Sequence, residues 1–103
     1  MAFIVSVTTT TDTATINLGG ELDAAGAPAF HDTIEKAAAA GVTHVVIRAH
    51  ELTYMASAGL RSLVFARQKM GDDVRITVTG ASEPVARTIR QAGFDRSVTL
   101  ADE

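Results

Sequence analysis

In the stretch Tyr54-Met55-Ala56-Ser57-Ala58-Gly59-Leu60, one hydroxyl stands among small and apolar residues, just ahead of a segment with helical spacing. A serine so placed can act as a nucleophile, accept a phosphate, or cap the helix with its own oxygen. The nucleophile reading is testable on the sequence. The hydrolase elbow G-x-S-x-G needs a glycine two residues before the serine, where Met55 stands. The same fold places an acid and then a histidine after the serine, yet His31, His44 and His50 all precede Ser57. The usual hydrolase arrangement is therefore excluded.

A metal centre would need convergent His, Asp or Glu ligands, and the nearest grouping is His50-Glu51 with His44 six residues earlier. With His44 expected to open a strand and His50 to lie past its end, these read as surface or strand-end histidines. No catalytic residue, metal or cofactor is expected. Gly19-Gly20 runs into Glu21-Leu22-Asp23 without the spacing of a phosphate-binding loop.

What remains for Ser57 is its position. The first N–H groups of a helix lack intrahelical partners and carry the positive end of the dipole, so an attached anion is stabilised there. A phosphate would bring about −1.5 to −2 charges to a surface of Ala56, Ala58 and Gly59. Against that stands simple capping by the hydroxyl, worth about 1 kcal/mol. Spacing alone favours the cap and leaves the phosphate acceptor open.

The elements that must position this serine follow from periodicity. Phe3 to Val7 is apolar and β-branched, and Thr13 to Leu18 alternates Ala14, Ile16 and Leu18 with polar residues, so a hairpin is expected. From Pro28 to Ala40, Phe30, Ile34 and Ala37/Ala38 recur at helical spacing, with proline at the start and Gly41 past the end. His44 to Ile47 is a short continuous apolar run, as expected of a central strand covered on both faces. A second helix is expected over Gly59 to Met70, with Leu60, Leu63 and Val64 inward. Val74, Ile76 and Val78 alternate as a fourth strand, Ser82 opens a third helix closed by Gly93, and Val98 to Leu100 forms a last strand. The order β-β-α-β-α-β-α-β implies an α/β fold: one domain over residues 1–103, a mixed β-sheet with three main helices.

Composition agrees. The 103 residues, 47% hydrophobic, suffice for one core and not for two ordinary domains. A net charge of −3 with scattered basic residues gives no footprint for direct nucleic-acid binding. Without cysteine there is no disulfide framework, thiolate site or cysteine nucleophile. The start lacks the features of a signal peptide and no apolar run nears a membrane span, so a cytoplasmic location is expected.

Gly20-Glu21-Leu22-Asp23, the helix with Pro28 and Phe30, and Leu52-Thr53-Tyr54-Met55-Ala56-Ser57-Ala58-Gly59-Leu60 together resemble the STAS domain of anti-sigma factor antagonists. The resemblance runs from about Phe3 to Leu100. In that family the motif at the second helix is an acid, a Ser, a Ser or Thr, then Gly-Leu. The first hydroxyl residue accepts phosphate from an anti-sigma factor that is also a serine kinase, and phosphorylation weakens the complex. The resemblance thus implies Ser57 as acceptor, with Gly59 and Leu60 as the helix start the kinase approaches. It also implies Glu21 and Asp23 as acids on the binding surface. Ordinary turn chemistry after Gly19-Gly20 is the alternative for these two. Tyr54 and Met55 are either partner contacts or cover for the sheet edge. Thr53 and Ser62 are the fallback acceptors.

Two residues depart from the pattern: Ala56 stands in place of the acid and Ala58 in place of the second hydroxyl. The expected function is an anti-sigma factor antagonist, not an enzyme, that binds a kinase-type anti-sigma factor and is switched at Ser57. Ala56 and Ala58 favour an alternative, a constitutive scaffold subunit of a transporter-associated or stress-signalling complex without a phosphoswitch. Weak nucleotide binding at a helix start is the third class.

Overall fold

The computed structural model describes residues 3–101. Its elements in chain order are β1 (Ile4–Thr9), β2 (Thr13–Leu22), α1 (Ala27–Ala39), β3 (His44–Met55), α2 (Ser57–Met70), β4 (Arg75–Thr79), α3 (Glu83–Gln91), a 3-10 turn (Phe94–Arg96) and β5 (Thr99–Ala101). They build one five-stranded sheet in the order β1-β2-β3-β4-β5, with β1 antiparallel to β2 and every other neighbouring pair parallel. This is the mixed α/β arrangement expected from the sequence.

The strand order dictates where the core lies. Parallel neighbours must be joined by crossovers, and crossovers are right-handed almost without exception. Because each new parallel strand is added on the same side of the last, all three helices fall on one face of the sheet. Ala14, Ile16, Leu18, Val45, Ile47, Ile76 and Val78 point into that face and are buried. Thr15, Asn17, Val46, Arg48, Arg75 and Thr77 point the other way and are exposed or half-buried. The expectation that β3 is covered on both faces is therefore corrected. Its apolar run comes from Val46, which is only half-buried.

The helices close the core with Phe30, Ile34 and Ala37 from α1, Leu63 and Ala66 from α2, and Val85 and Ile89 from α3. On α2, the inward residues are Gly59, Ser62, Leu63 and Ala66, whereas Leu60 and Val64 are half-buried.

Both strands that lead to Ser57 outrun the sequence expectation. β2 continues through Gly19-Gly20 to Leu22, and β3 continues past Ile47 to Met55. The β2–β3 register shifts between Asn17 and Gly19 and again between Gly20 and Glu21. Gly20 adopts φ 82, a conformation that side chains resist. Beyond Ile47 the buried residues of β3 are Ala49, Leu52 and Met55, a spacing that bulges impose and a period of two does not predict. His50 thus lies inside β3, not past its end.

Candidate partner-binding surface

The two bulged strands deliver their ends side by side. Leu22 is in register with Met55 and Glu21 with Tyr54. The carbonyl of Leu22 accepts a hydrogen bond from the Ala56 N–H at 2.9 Å, which fixes the single residue between β3 and α2. The surface therefore sits at the carboxyl ends of parallel strands, where α/β folds place their functional groups.

Helix α2 begins at Ser57, two residues before the expected start, and its N-cap is Ala56, with extended backbone and no side-chain cap bond. The capping alternative for Ser57 is thereby corrected: the serine is the first residue inside the helix. Ala56 accepts backbone bonds from Gly59 at 2.9 Å and Leu60 at 3.3 Å. The N–H groups of Ser57 and Ala58 have no protein acceptor among the described residues, as the start of a helix requires. Ser57 is exposed, and among the described residues its hydroxyl has no hydrogen-bond partner.

Neither fallback hydroxyl is comparable. Ser62 is 0% exposed; its Oγ donates to the Ala58 carbonyl at 3.0 Å and lies 2.9 Å from His31 Nε2. With its one proton given to Ala58, Ser62 accepts from the Nε2–H tautomer of His31, whose ring also stacks on Phe65 at 4.4 Å. Thr53 donates to the carbonyl of Gly20 at 3.1 Å, across the bulge.

The remaining named residues divide by depth. Tyr54, one residue before the end of β3, is 54% exposed. Ala56, Ala58 and Leu60 are half-buried. Met55, by contrast, is 6% exposed and Gly59 is buried, so both support the surface from beneath; the expectation of Met55 and Gly59 as direct contacts is corrected. Glu21 and Asp23 are half-buried. The Asp23 carboxylate accepts from the N–H groups of Ala25 and Gly26 at 3.1 and 3.2 Å, so it organises the turn that enters α1. Turn chemistry is what Asp23 performs here.

The sequence reading missed a groove between α2 and α1, one residue on from Ser57. Ala58 and Arg61 of α2 face Ala24, Pro28, His31 and Asp32 across a shallow groove. Helical spacing signals Arg61, four residues after Ser57; the α1 side comes from a long-range packing that no local pattern announces. Among the described residues no group of three or more His, Asp or Glu is placed to hold a metal ion. None of the described helices is long and apolar enough to cross a membrane.

The family model described as "Mlab, STAS domain" matches residues 5–101, almost the whole chain. The chain belongs to the STAS domain family. Among relatives of this STAS domain, the anti-sigma-F factor antagonist RsfB of Mycobacterium tuberculosis (strain CDC 1551 / Oshkosh) is 29% identical over 87 residues, covering 84% of this chain and 71% of RsfB. The crystal structure of an anti-sigma factor antagonist from Mycobacterium paratuberculosis superposes with a TM-score of 0.86 at 23% identity, over 96% of this chain and 85% of that one. SpoIIAA, an anti-sigma factor antagonist, shares the fold in its unphosphorylated form, with a TM-score of 0.82 at 22% identity over 99% of this chain and 88% of that one. The phosphorylated form of the Bacillus SpoIIAA superposes at 0.75, with 21% identity over 99% and 91% of the two chains.

Proposed function

We propose that this STAS domain is an anti-sigma factor antagonist that binds a kinase-type anti-sigma factor and is switched by phosphorylation of Ser57. The observation that carries the reading is the contrast among three hydroxyls. Ser62 is sealed in the core and Thr53 is bonded across a bulge, whereas Ser57 is exposed and unbonded at the start of α2. An ATP-dependent partner kinase transfers the γ-phosphoryl group to Ser57 Oγ, ADP leaves, and the hydroxyl proton passes to the kinase's base. The domain is the substrate and performs no catalysis.

Tyr54, Ala56, Ala58 and Leu60 supply the surrounding contact surface, with Glu21 at its edge and Met55, Gly59 and Asp23 holding its shape. Small side chains beside Ser57 let a kinase approach the backbone closely. The phosphate adds about −1.5 to −2 charges where positions 56 and 58 carry none, which is a large change for a partner packed on that surface. Binding in the cytoplasm without direct contact to nucleic acid is part of this reading.

The test combines the purified protein with a kinase-type anti-sigma factor and ATP. Intact-mass analysis is expected to find one phosphate on wild type and none on Ser57→Ala, which still binds; Ser57→Asp and Ser57→Glu bind more weakly. Equal phosphate transfer to Ser57→Ala refutes the site. Ala56 and Ala58 favour a second reading, a constitutive STAS scaffold subunit. Co-purification with a transporter ATPase or scaffold partner, unchanged by ATP and kinase, supports that reading against the switch.

A further inference from the structure

We propose that Arg61 is the residue that holds the phosphate once Ser57 is modified, forming a clasp across one turn of α2. The inference rests on the reading of Ser57 as phosphoacceptor. Residues four apart share a helix face, with Cβ atoms about 5–6 Å from each other. Helical Cα–Cβ bonds tilt towards the N-terminus, so Arg61, which lines the groove against α1 together with Ala58, has a side chain long enough to reach back over the turn that holds Ser57. An anion at the first position and a cation four residues later is the favourable order of such a pair.

Arg61 is also available. It is exposed, and among the described residues it has no ion pair or hydrogen bond to surrender. Arg87 and Arg90, by comparison, are engaged with Glu83. The guanidinium fork matches two phosphate oxygens at once, which a lysine ammonium does not.

The charged groups around the pair leave room for it. Asp32 of α1 lines the same groove as Arg61 without an ion pair between them. His31 is turned to Ser62 and Phe65, and the Asp23 carboxylate is turned into its own loop. Glu21 lies at the end of β2 beside Tyr54. Modification thus changes two groups at once: it places a dianion at position 57 and withdraws the Arg61 charge from a partner.

Genetically encoded phosphoserine at position 57 tests the clasp without any kinase. The phosphate is titrated by 31P NMR at low ionic strength in four proteins: the phosphoserine domain, and the same domain with Arg61→Ala, Arg61→Lys or Lys69→Ala. Arg61→Ala is expected to raise the second phosphate pKa by roughly 0.3–0.5 unit, Arg61→Lys by less, and the remote Lys69→Ala by nothing resolvable. An unchanged titration in Arg61→Ala, or an equal shift in Lys69→Ala, overturns the clasp. If the shift is found but no kinase-type anti-sigma factor modifies the unphosphorylated protein, the switch reading fails and the clasp stands.

Discussion

Gly59 packs α2 against Leu22 at the end of β2 and Met55 at the end of β3, and replacing it by alanine sets two effects against each other. A Cβ there would lie 2.7 Å from Met55 Cγ and 3.0 Å from both Cγ and Cδ2 of Leu22. Alanine gains up to about 1 kcal/mol of helix propensity in a helix interior, and less in the first turn. Inserting a methyl into a filled core costs about 1–3 kcal/mol. Met55 and Leu22 are 6% and 0% exposed, so neither side chain has solvent to move into, and the steric cost wins. The expected net loss is about 1 kcal/mol, a fall of roughly 4–8 °C in Tm for a domain of this size. Thermal unfolding by circular dichroism measures it. A double-mutant cycle identifies the cause: Met55→Ala opens a cavity and costs about 2–5 kcal/mol alone, but Gly59→Ala added to it then costs less than it does alone, only the Leu22 contacts at 3.0 Å remaining. A Tm unchanged or raised in Gly59→Ala, or strict additivity with Met55→Ala, refutes the close-contact argument.

Arg67 joins three segments through its guanidinium, donating to the carbonyls of Gly71 at 2.8 Å, Val74 at 2.7 Å and Ser97 at 2.6 Å. Arg67→Ala is expected to lower stability by about 2–4 kcal/mol in urea unfolding, and Arg67→Lys to recover less than half of it, because an ammonium cannot span the fork. His44, bonded to Thr77 at 2.9 Å, is held below the ordinary histidine pKa by burial and then by Arg75, with Asp12 opposing. The unfolded chain therefore takes up this proton first as pH falls. Stability is full above about pH 6.5 and declines from there towards the lowered folded value. Urea unfolding as a function of pH is expected to lose part of that slope in His44→Asn; an unchanged slope excludes His44 as its source.

Local pattern was enough for the order of elements and for most of the core. The alternation Ala14, Ile16, Leu18 and the spacing Phe30, Ile34, Ala37 report burial directly. It failed where the chain stops obeying its own period. Two bulges after Asn17 break the alternation of β2 and β3, so both strands read as ending near Leu18 and Ile47, although they run to Leu22 and Met55. That error displaced the start of α2 and made Ser57 look like a cap. Ser62 is a different case. It shares the buried face of α2 with Gly59, Leu63 and Ala66, and its partner His31 is 31 residues away, a pairing that no local pattern announces. The motif singled out Ser57; the burial of Ser62 and the bond made by Thr53 were not legible in it.

The two alanines beside Ser57 change where a phosphate can act. An acid at the N-cap would bond the free N–H groups of the first turn and repel an incoming dianion. Ala56 does neither: it offers no side-chain acceptor, and the first turn of α2 contains no acidic residue. A phosphate on Ser57 therefore enters a site with no resident anion on the helix, open N–H groups and a cation one turn along. Within the domain every one of these terms is favourable, so modification firms the start of α2 and does not loosen it. If phosphorylation weakens a complex here, the weakening must arise across the interface, from charge and bulk presented to the partner over Tyr54, Ala58 and Leu60. A switch of this kind leaves the fold intact and changes only what the surface will accept.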